Sequence, residues 1–346
     1  MTFALLKEFN RKAVLAYARA RQPRTYVGAA LFPVNPVNEL SFEYWKSLNL
    51  LPVMASIQAY GAEAQIASRD GDSKISGEIP PIKRKINLNE RELIALKREG
   101  AGDVDMVRNT LYNDLDNMID SVLARIEMMR MDAVSSGQMV INENGVVVTV
   151  NYGVPGGQIV DLDAHNDAEG DWDQVNAEPI TMIQAWVNTV VAGCGIRPTR
   201  ALTSNIVVAN MMKNAQIRKM LYGDSGASRA VSLSDINALL SSLDLPQIAT
   251  YDLQVRSQAE NGVITTVRFF PEKKIVLLPP ITCGETLMGP TAEALLDGEV
   301  EAKEAAGIYA RVDEVQEPPA VWTKAAATSI PTFPMADTVH IATVLP

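Results

Sequence analysis

The sequence predicts an α+β fold organised around one long helix. Three observations carry that reading. Between 103 and 136, Val104, Val107, Leu111, Leu115, Met118, Val122, Ile126, Met129 and Ala133 recur at three- and four-residue steps, with Asn109, Asn113, Asp116, Asp120 and Glu127 on the opposite face. Shorter helical patterns fall between 178 and 243, and strand-like segments crowd the stretch from 247 to 278. A helix of the first kind is far longer than the average in globular proteins; it reads as a spine.

The elements follow in order. Residues 3 to 21 alternate apolar and basic residues as an amphipathic helix closed by Gln22-Pro23. Leu31-Phe32-Pro33, Pro36, Phe42, Tyr44 and Trp45 form a proline-punctuated stretch, which disfavours helix and reads as an arm lying across a surface. Residues 53 to 67 alternate loosely, Asp70-Gly71 gives a turn, and Lys83 to Leu88 alternate again. The expectation is a long, polar-tipped hairpin that cannot bury itself. The spine helix starts at Asp103 as N-cap and stops at Ser136-Gly137. Met139 to Ile141 and Val146 to Val150 flank Asn144-Gly145 as a second hairpin.

Residues 161 to 177 read as an acidic loop and 178 to 190 as a helix. Another helix begins near Thr203, and Ser232 and Ser234 are candidate caps for one through Leu243. Gln247 to Val255 and Val263 to Phe270 read as strands about Asn261-Gly262, with a short apolar strand at Lys274 to Leu278. Glu317-Pro318-Pro319 marks a boundary, and the tail from Pro331 alternates around Val339, Ile341 and Val344 as a strand returning to an earlier part of the fold.

Composition narrows the function classes. The 346 residues suffice for one elaborate domain or two ordinary ones. With 47% hydrophobic and 21% charged residues the chain reads as globular and ordered. No apolar run reaches the roughly 18 residues that span a bilayer. The first residues lack the continuous apolar core and cleavage site of a secretory signal, so synthesis in the cytoplasm is expected. A net charge of −10 argues against a protein that grips phosphates, though it suits a wall that must not adhere to enclosed nucleic acid. Two cysteines, Cys194 and Cys283, imply buried free thiols rather than a disulfide framework. Two histidines, His165 and His340, leave little for triads or zinc sites.

The tempting motifs dissolve on inspection. Gly223-Asp224-Ser225-Gly226 resembles a serine-nucleophile loop, but His165 lies in an acidic loop after a largely helical half, and a glycine-rich turn explains the residues. Asp161, Asp163, His165 and Asp167 open like a calcium loop. Asn166 then stands where glycine is wanted and Trp172 where glutamate is wanted, so a solvated acidic loop is the reading. Lys83, Arg84 and Lys85 form a basic cluster without interleaved aromatic residues; pairing with acidic residues of a neighbouring subunit suits it better than nucleic acid. No catalytic, metal or cofactor site emerges.

The order of parts, together with Leu31-Phe32-Pro33, Ile82-Lys83-Arg84-Lys85-Ile86-Asn87-Leu88, Leu277-Leu278-Pro279 and Gly289-Pro290-Thr291-Ala292-Glu293, resembles the major capsid proteins of tailed bacteriophages in the lambda head-protein family. That resemblance implies the Hong-Kong-97-type fold. Residues 1–53 would be the N-terminal arm and 54–82 the extended loop. Residues 83–174 with 326–346 would be a peripheral domain holding the spine helix, and 175–325 an axial α/β domain. It implies a structural, non-enzymatic shell protein that assembles into hexamers and pentamers around packaged double-stranded DNA in the virion. Its partners would be further copies, a portal, a scaffold or maturation protease and a possible decoration protein, with no membrane and no cofactor. Arg69, Asp70, Asp72, Lys74, Lys83, Arg84 and Lys85 are the expected intersubunit contacts. Competing readings are an encapsulin-like compartment, a metal-assisted enzyme using Asp161, Asp163 and Asp167, and a tail or adaptor protein of the same kind of virus.

Overall fold

The computed structural model describes residues 14, 17, 24–47, 54–55, 57–58, 60, 72–97, 103–143, 145–162, 171–174, 176–223, 229–259, 262–296 and 307–346. In chain order the first elements are α1 (Val27–Leu31), β1 (Val34–Pro36), β2 (Ser41–Ser47), β3 (Asp72–Glu78), β4 (Pro81–Leu88), α2 (Glu90–Lys97) and α3 (Asp103–Ser136). A hairpin, β5 (Gln138–Glu143) and β6 (Val146–Asn151), and a short strand β7 (Ile159–Asp161) follow. The middle holds α4 (Pro179–Cys194), β8 (Arg200–Thr203), α5 (Asn205–Lys213), α6 (Ala215–Tyr222) and α7 (Leu233–Ser242). The rest comprises β9 (Gln247–Thr250), β10 (Gln254–Gln258), β11 (Ile264–Arg268), β12 (Lys274–Leu278), β13 (Glu285–Gly289), α8 (Ala292–Leu296), β14 (Tyr309–Gln316), β15 (Pro319–Thr332) and β16 (His340–Thr343).

These elements form two compact units. One comprises residues 1–42, 77–129 and 285–332; the other comprises 43–76, 130–284 and 333–346. This division departs from the expected one, which joined 326–346 to 83–174 and left 285–325 with the block from 175. Strand pairing decides it, and pairing between distant segments leaves no local signature.

The spine helix α3 has the predicted bounds, 34 residues or roughly 50 Å at about 1.5 Å each. Leu111, Leu115, Met118, Val122, Ile126, Met129 and Ala133 are buried, as their spacing requires. It stops at Gly137, whose φ of +67° suits glycine; a Cβ there would also meet Val154 Cγ2 at 2.7 Å. The described residues ahead of α1, with its Gly28, lie along α3. Tyr17 Oη donates to Asp116 at 2.9 Å, its ring sits 4.4 Å from that of Tyr112, Arg24 pairs with Asp120 at 3.5 Å, and the Gly28 N–H donates to the buried Glu127 at 2.9 Å. The rest of the helix expected at residues 3 to 21 lies outside the described residues.

The sheet of the first unit is built on β15. β14 pairs antiparallel along one edge, from Tyr309↔Ala326 to Gln316↔Pro319, and β4 pairs along the other, from Pro81↔Thr328 to Leu88↔Val321. β13 takes the far end of β15, and β1 joins it in parallel. Glu317-Pro318-Pro319 is therefore the turn between two paired strands, with a cis Glu317-Pro318 bond, and not a boundary. Lys83 to Lys85 sit in this sheet rather than on a hairpin. The ribbon that does form is β2 with β3, one leg earlier in the chain than expected.

In the second unit the sheet runs β7-β16-β12-β8-β9. Its central strand β12 is buried from Ile275 to Leu278, the continuous apolar run of a strand covered on both faces. Ile180, Ile183, Val187, Val207, Met211, Ile236 and Leu240 from the helices pack with Ile275 and Leu277. The tail returns as its alternation predicts: β16 pairs antiparallel with β12 and parallel with β7. The pattern near Thr203 divides into strand β8 and helix α5, because Ser204 caps the helix by accepting the Val207 N–H.

Candidate assembly surfaces

The ribbon β2–β3 is anchored at its root by buried groups. Phe42 is buried, and a Cβ on Gly77 would meet its ring at 2.9 Å, so the facing strand needs glycine there. Lys46, 3% exposed, pairs with Asp337 at 2.6 Å and donates to the carbonyls of Tyr152 and Gly153. Tyr44 Oη accepts the Phe333 N–H at 3.3 Å. Burial pushes the Tyr44 hydroxyl up to about 12, against the opposing hydrogen bond, and raises Tyr152 further.

Beyond residue 47 the described positions make no regular element. Met54, Ile57 and Tyr60 are 93%, 102% and 110% exposed, so no described residue covers them. Single exposed apolar side chains are ordinary, but three bare ones within seven positions are more than chance exposure requires. Of the predicted contact residues in this region, Arg69 and Asp70 and the side chain of Asp72 lie outside the described residues. Lys74 pairs with Glu43 across the ribbon at 2.6 Å, both about half exposed.

Lys83, Arg84 and Lys85 lie on β4, and alternation puts Lys83 and Lys85 on one face and Arg84 on the other. Lys83 pairs with Glu293 at 2.8 Å, and Lys85 Nζ lies 4.6 Å from the centre of the Trp322 ring. Burial alone would raise the Glu293 carboxyl; the hydrogen bond from Lys83 and the charges of Lys83 and Lys324 hold it below its usual range. Lys324 pairs with Asp313 at 3.1 Å, and Arg311 also pairs with Asp313. The structure thus gathers Lys83 and Lys85 with Lys324 and Arg311, which sequence reading did not single out. Only the pairing of β15 with β14 on one side and β4 on the other connects them.

The discarded catalytic motifs gain no support. Asp224, Ser225 and Gly226 lie outside the described residues, as do Asp163, His165 and Asp167. Among the described residues no three His, Cys, Asp or Glu side chains cluster to hold a metal. Cys194 and Cys283 are free and buried, as their scarcity predicts. Burial raises both thiols, Cys283 to about 12, which keeps them protonated and poor nucleophiles. No described helix is long and apolar enough to cross a membrane.

Comparison with known proteins decides the family. A family model described as phage major capsid protein E matches residues 13–344. The chain belongs to that family. A comparison with curated proteins returns no match. Among solved structures, the chain is similar to a protein described as a prophage capsid protein from Escherichia coli CFT073 (13% identity, 96% of this chain and 97% of that one, TM-score 0.58). It is also similar to a phage-related protein from Bordetella bronchiseptica RB50 (12%, 97% of each chain, TM-score 0.56) and to the capsid of a native GTA particle (14%, 94% and 93%, TM-score 0.50). At these identities the likeness is one of fold: an α+β architecture related to known phage capsid folds. Family membership gives the chain a structural role as a capsid protein and not a catalytic one.

Proposed function

We propose that this member of the capsid protein E family is the repeating subunit of an icosahedral phage head, joining with copies of itself as hexamers and pentamers around packaged double-stranded DNA. The observation that supports it most directly is the exposure of three large apolar side chains, Met54, Ile57 and Tyr60, in the segment that follows the strand held by Lys46. Covering a large apolar side chain is worth about 1.5–3 kcal/mol, which an isolated subunit forgoes here and a neighbour supplies.

Residues 1–53 then act as the arm and 54–82 as the extended loop over the adjacent subunit. The spine helix belongs to a peripheral domain, and the α4–α7 block to an axial domain near the five- and six-fold axes. The pairing of β16 with β12 favours counting the last strand with the axial block. Arg69, Asp70, Asp72, Lys74, Lys83, Arg84 and Lys85 contribute charged intersubunit contacts. Pentamers and hexamers reuse these surfaces in slightly different arrangements. A portal, a scaffold or maturation protease and a decoration protein are the further partners of such a shell, which assembles in the host cytoplasm and holds DNA without reading its sequence.

Electron microscopy and sedimentation of the purified chain test this. Closed particles of uniform size are expected. A compact monomer at every concentration, with the 54–60 segment protected from proteolysis, would overturn it.

A further inference from the structure

The register of the β15 sheet places like charges opposite one another. Lys324 on β15 faces Lys85 on β4 and Arg311 on β14, so three cations form a row across three adjacent strands. Like charges directly opposite on neighbouring strands are destabilising. Lys83 lies on the same face of β4. The described ion pairs of these cations use two carboxylates, Asp313 and Glu293. Asp313 serves Lys324 and Arg311 together, Glu293 serves Lys83, and Lys85 rests on an aromatic ring instead of a carboxylate.

Protection of a sheet edge by lysines explains part of this, since β4 has β15 as its one partner among the described strands. It does not explain Lys324, which stands on the central strand and is a third exposed. Among the described residues, a chain with net charge −10 thus gathers three lysines, Lys83, Lys85 and Lys324, on one face of a sheet.

We propose that this face, Lys83, Lys85 and Lys324 with Arg311 beside them, is an interaction surface for a carboxylate-bearing surface of a second copy of the chain. This deepens the shell reading and rests on it. Subunits that close a ring meet through two different patches, one the complement of the other. A basic face on an otherwise acidic molecule supplies that asymmetry, because every further copy brings carboxylates in excess. Phosphodiester is the poorer occupant: the Trp322 ring, which could stack on a base, is already covered by Lys85.

The test uses assembled wild-type particles grown from a mixture of light and heavy-isotope subunits and treated with a carbodiimide, which joins lysine to carboxylate at zero length. Cross-links within one chain, Lys83 to Glu293 and Lys324 to Asp313, serve as the internal control. Mixed-isotope cross-links from Lys83, Lys85 or Lys324 to an Asp or Glu are expected in particles and should be lost on disassembly. Particles in which these lysines join carboxylates of their own chain alone would overturn the proposal while leaving the shell reading intact. So would lysines that become open to acylation only after nuclease treatment, since the face would then serve nucleic acid. Absence of particles in the micrographs would remove the shell reading, and this one with it.

Discussion

Lys46 lies almost closed to water, and Asp337 and two backbone carbonyls take its three N–H donors. Breaking one side of such a pair leaves the other charge buried and unpaired. Lys46→Met is therefore expected to cost the subunit about 3 kcal/mol or more, read as a drop in the urea midpoint at unchanged slope. His340 gives a different signal. It is 1% exposed, its ring stacks 5.1 Å from that of Trp186, and its Nδ1 has no hydrogen-bond partner. Burial pushes its pKa down to about 4 from the ordinary 6.5. Between those two values the unfolded chain takes up a proton that the folded chain refuses. The histidine thus costs no stability above pH 6.5, and its penalty grows as pH falls toward 4, to on the order of 3 kcal/mol. His340→Phe keeps the stack and removes the proton. Unfolding at pH 7 and pH 4.5 should show a smaller loss in the variant than in the wild type; equal losses would mean that His340 does not sense the acid.

Among elements, those governed by local rules were legible. α3 announced itself through its spacing and through Gly137 at its end, and α7 through Ser232. Ser232 accepts the Asp235 N–H while Asp235 accepts the Ser232 N–H, a complete capping box. Ser232→Ala should lower stability by about 1 kcal/mol, seen as a small fall in the melting temperature. β15 was illegible for an equally physical reason. Ala320 and Ala325 to Ala327 carry no strand preference, and Thr323, Thr328 and Ser329 are buried, so no alternation of apolar and polar residues marks the strand. It is held by partners that begin 238 positions earlier at Pro81 and 10 positions earlier at Tyr309. The ribbon was legible in kind but misplaced, because Ser41 to Ser47 carries prolines before it and reads as an arm. Its Lys74–Glu43 pair is half exposed and contributes little to folding. Reversing charge at Arg69 and Lys74 together is therefore expected to leave the subunit's melting curve in place while impairing particle formation. Full-yield particles from that double variant would remove those two residues from the contact.

For the molecule as a whole, the site was legible as chemistry and not as geometry. The basic cluster at 83–85 was visible in the chain, but its division between two sheet faces, and its company of Lys324 and Trp322, depend on tertiary pairing. The exposure of Met54, Ile57 and Tyr60 agrees with a segment expected to be unable to bury itself, but spacing alone did not single out these three side chains. These three side chains separate folding from assembly. Because they are fully exposed in the single chain, replacing all three by serine removes nothing that holds that chain together, and the unfolding midpoint should stay within measurement error. If a neighbouring copy covers them, the same change removes apolar burial worth several kcal/mol at each intersubunit contact. Every 1.4 kcal/mol is a factor of ten in association, so the concentration at which particles appear should rise by at least about tenfold. Sedimentation of the variant across a concentration series measures this. An unchanged threshold would place the patch outside the contact and leave the capsid subunit to be held by its charged surfaces alone.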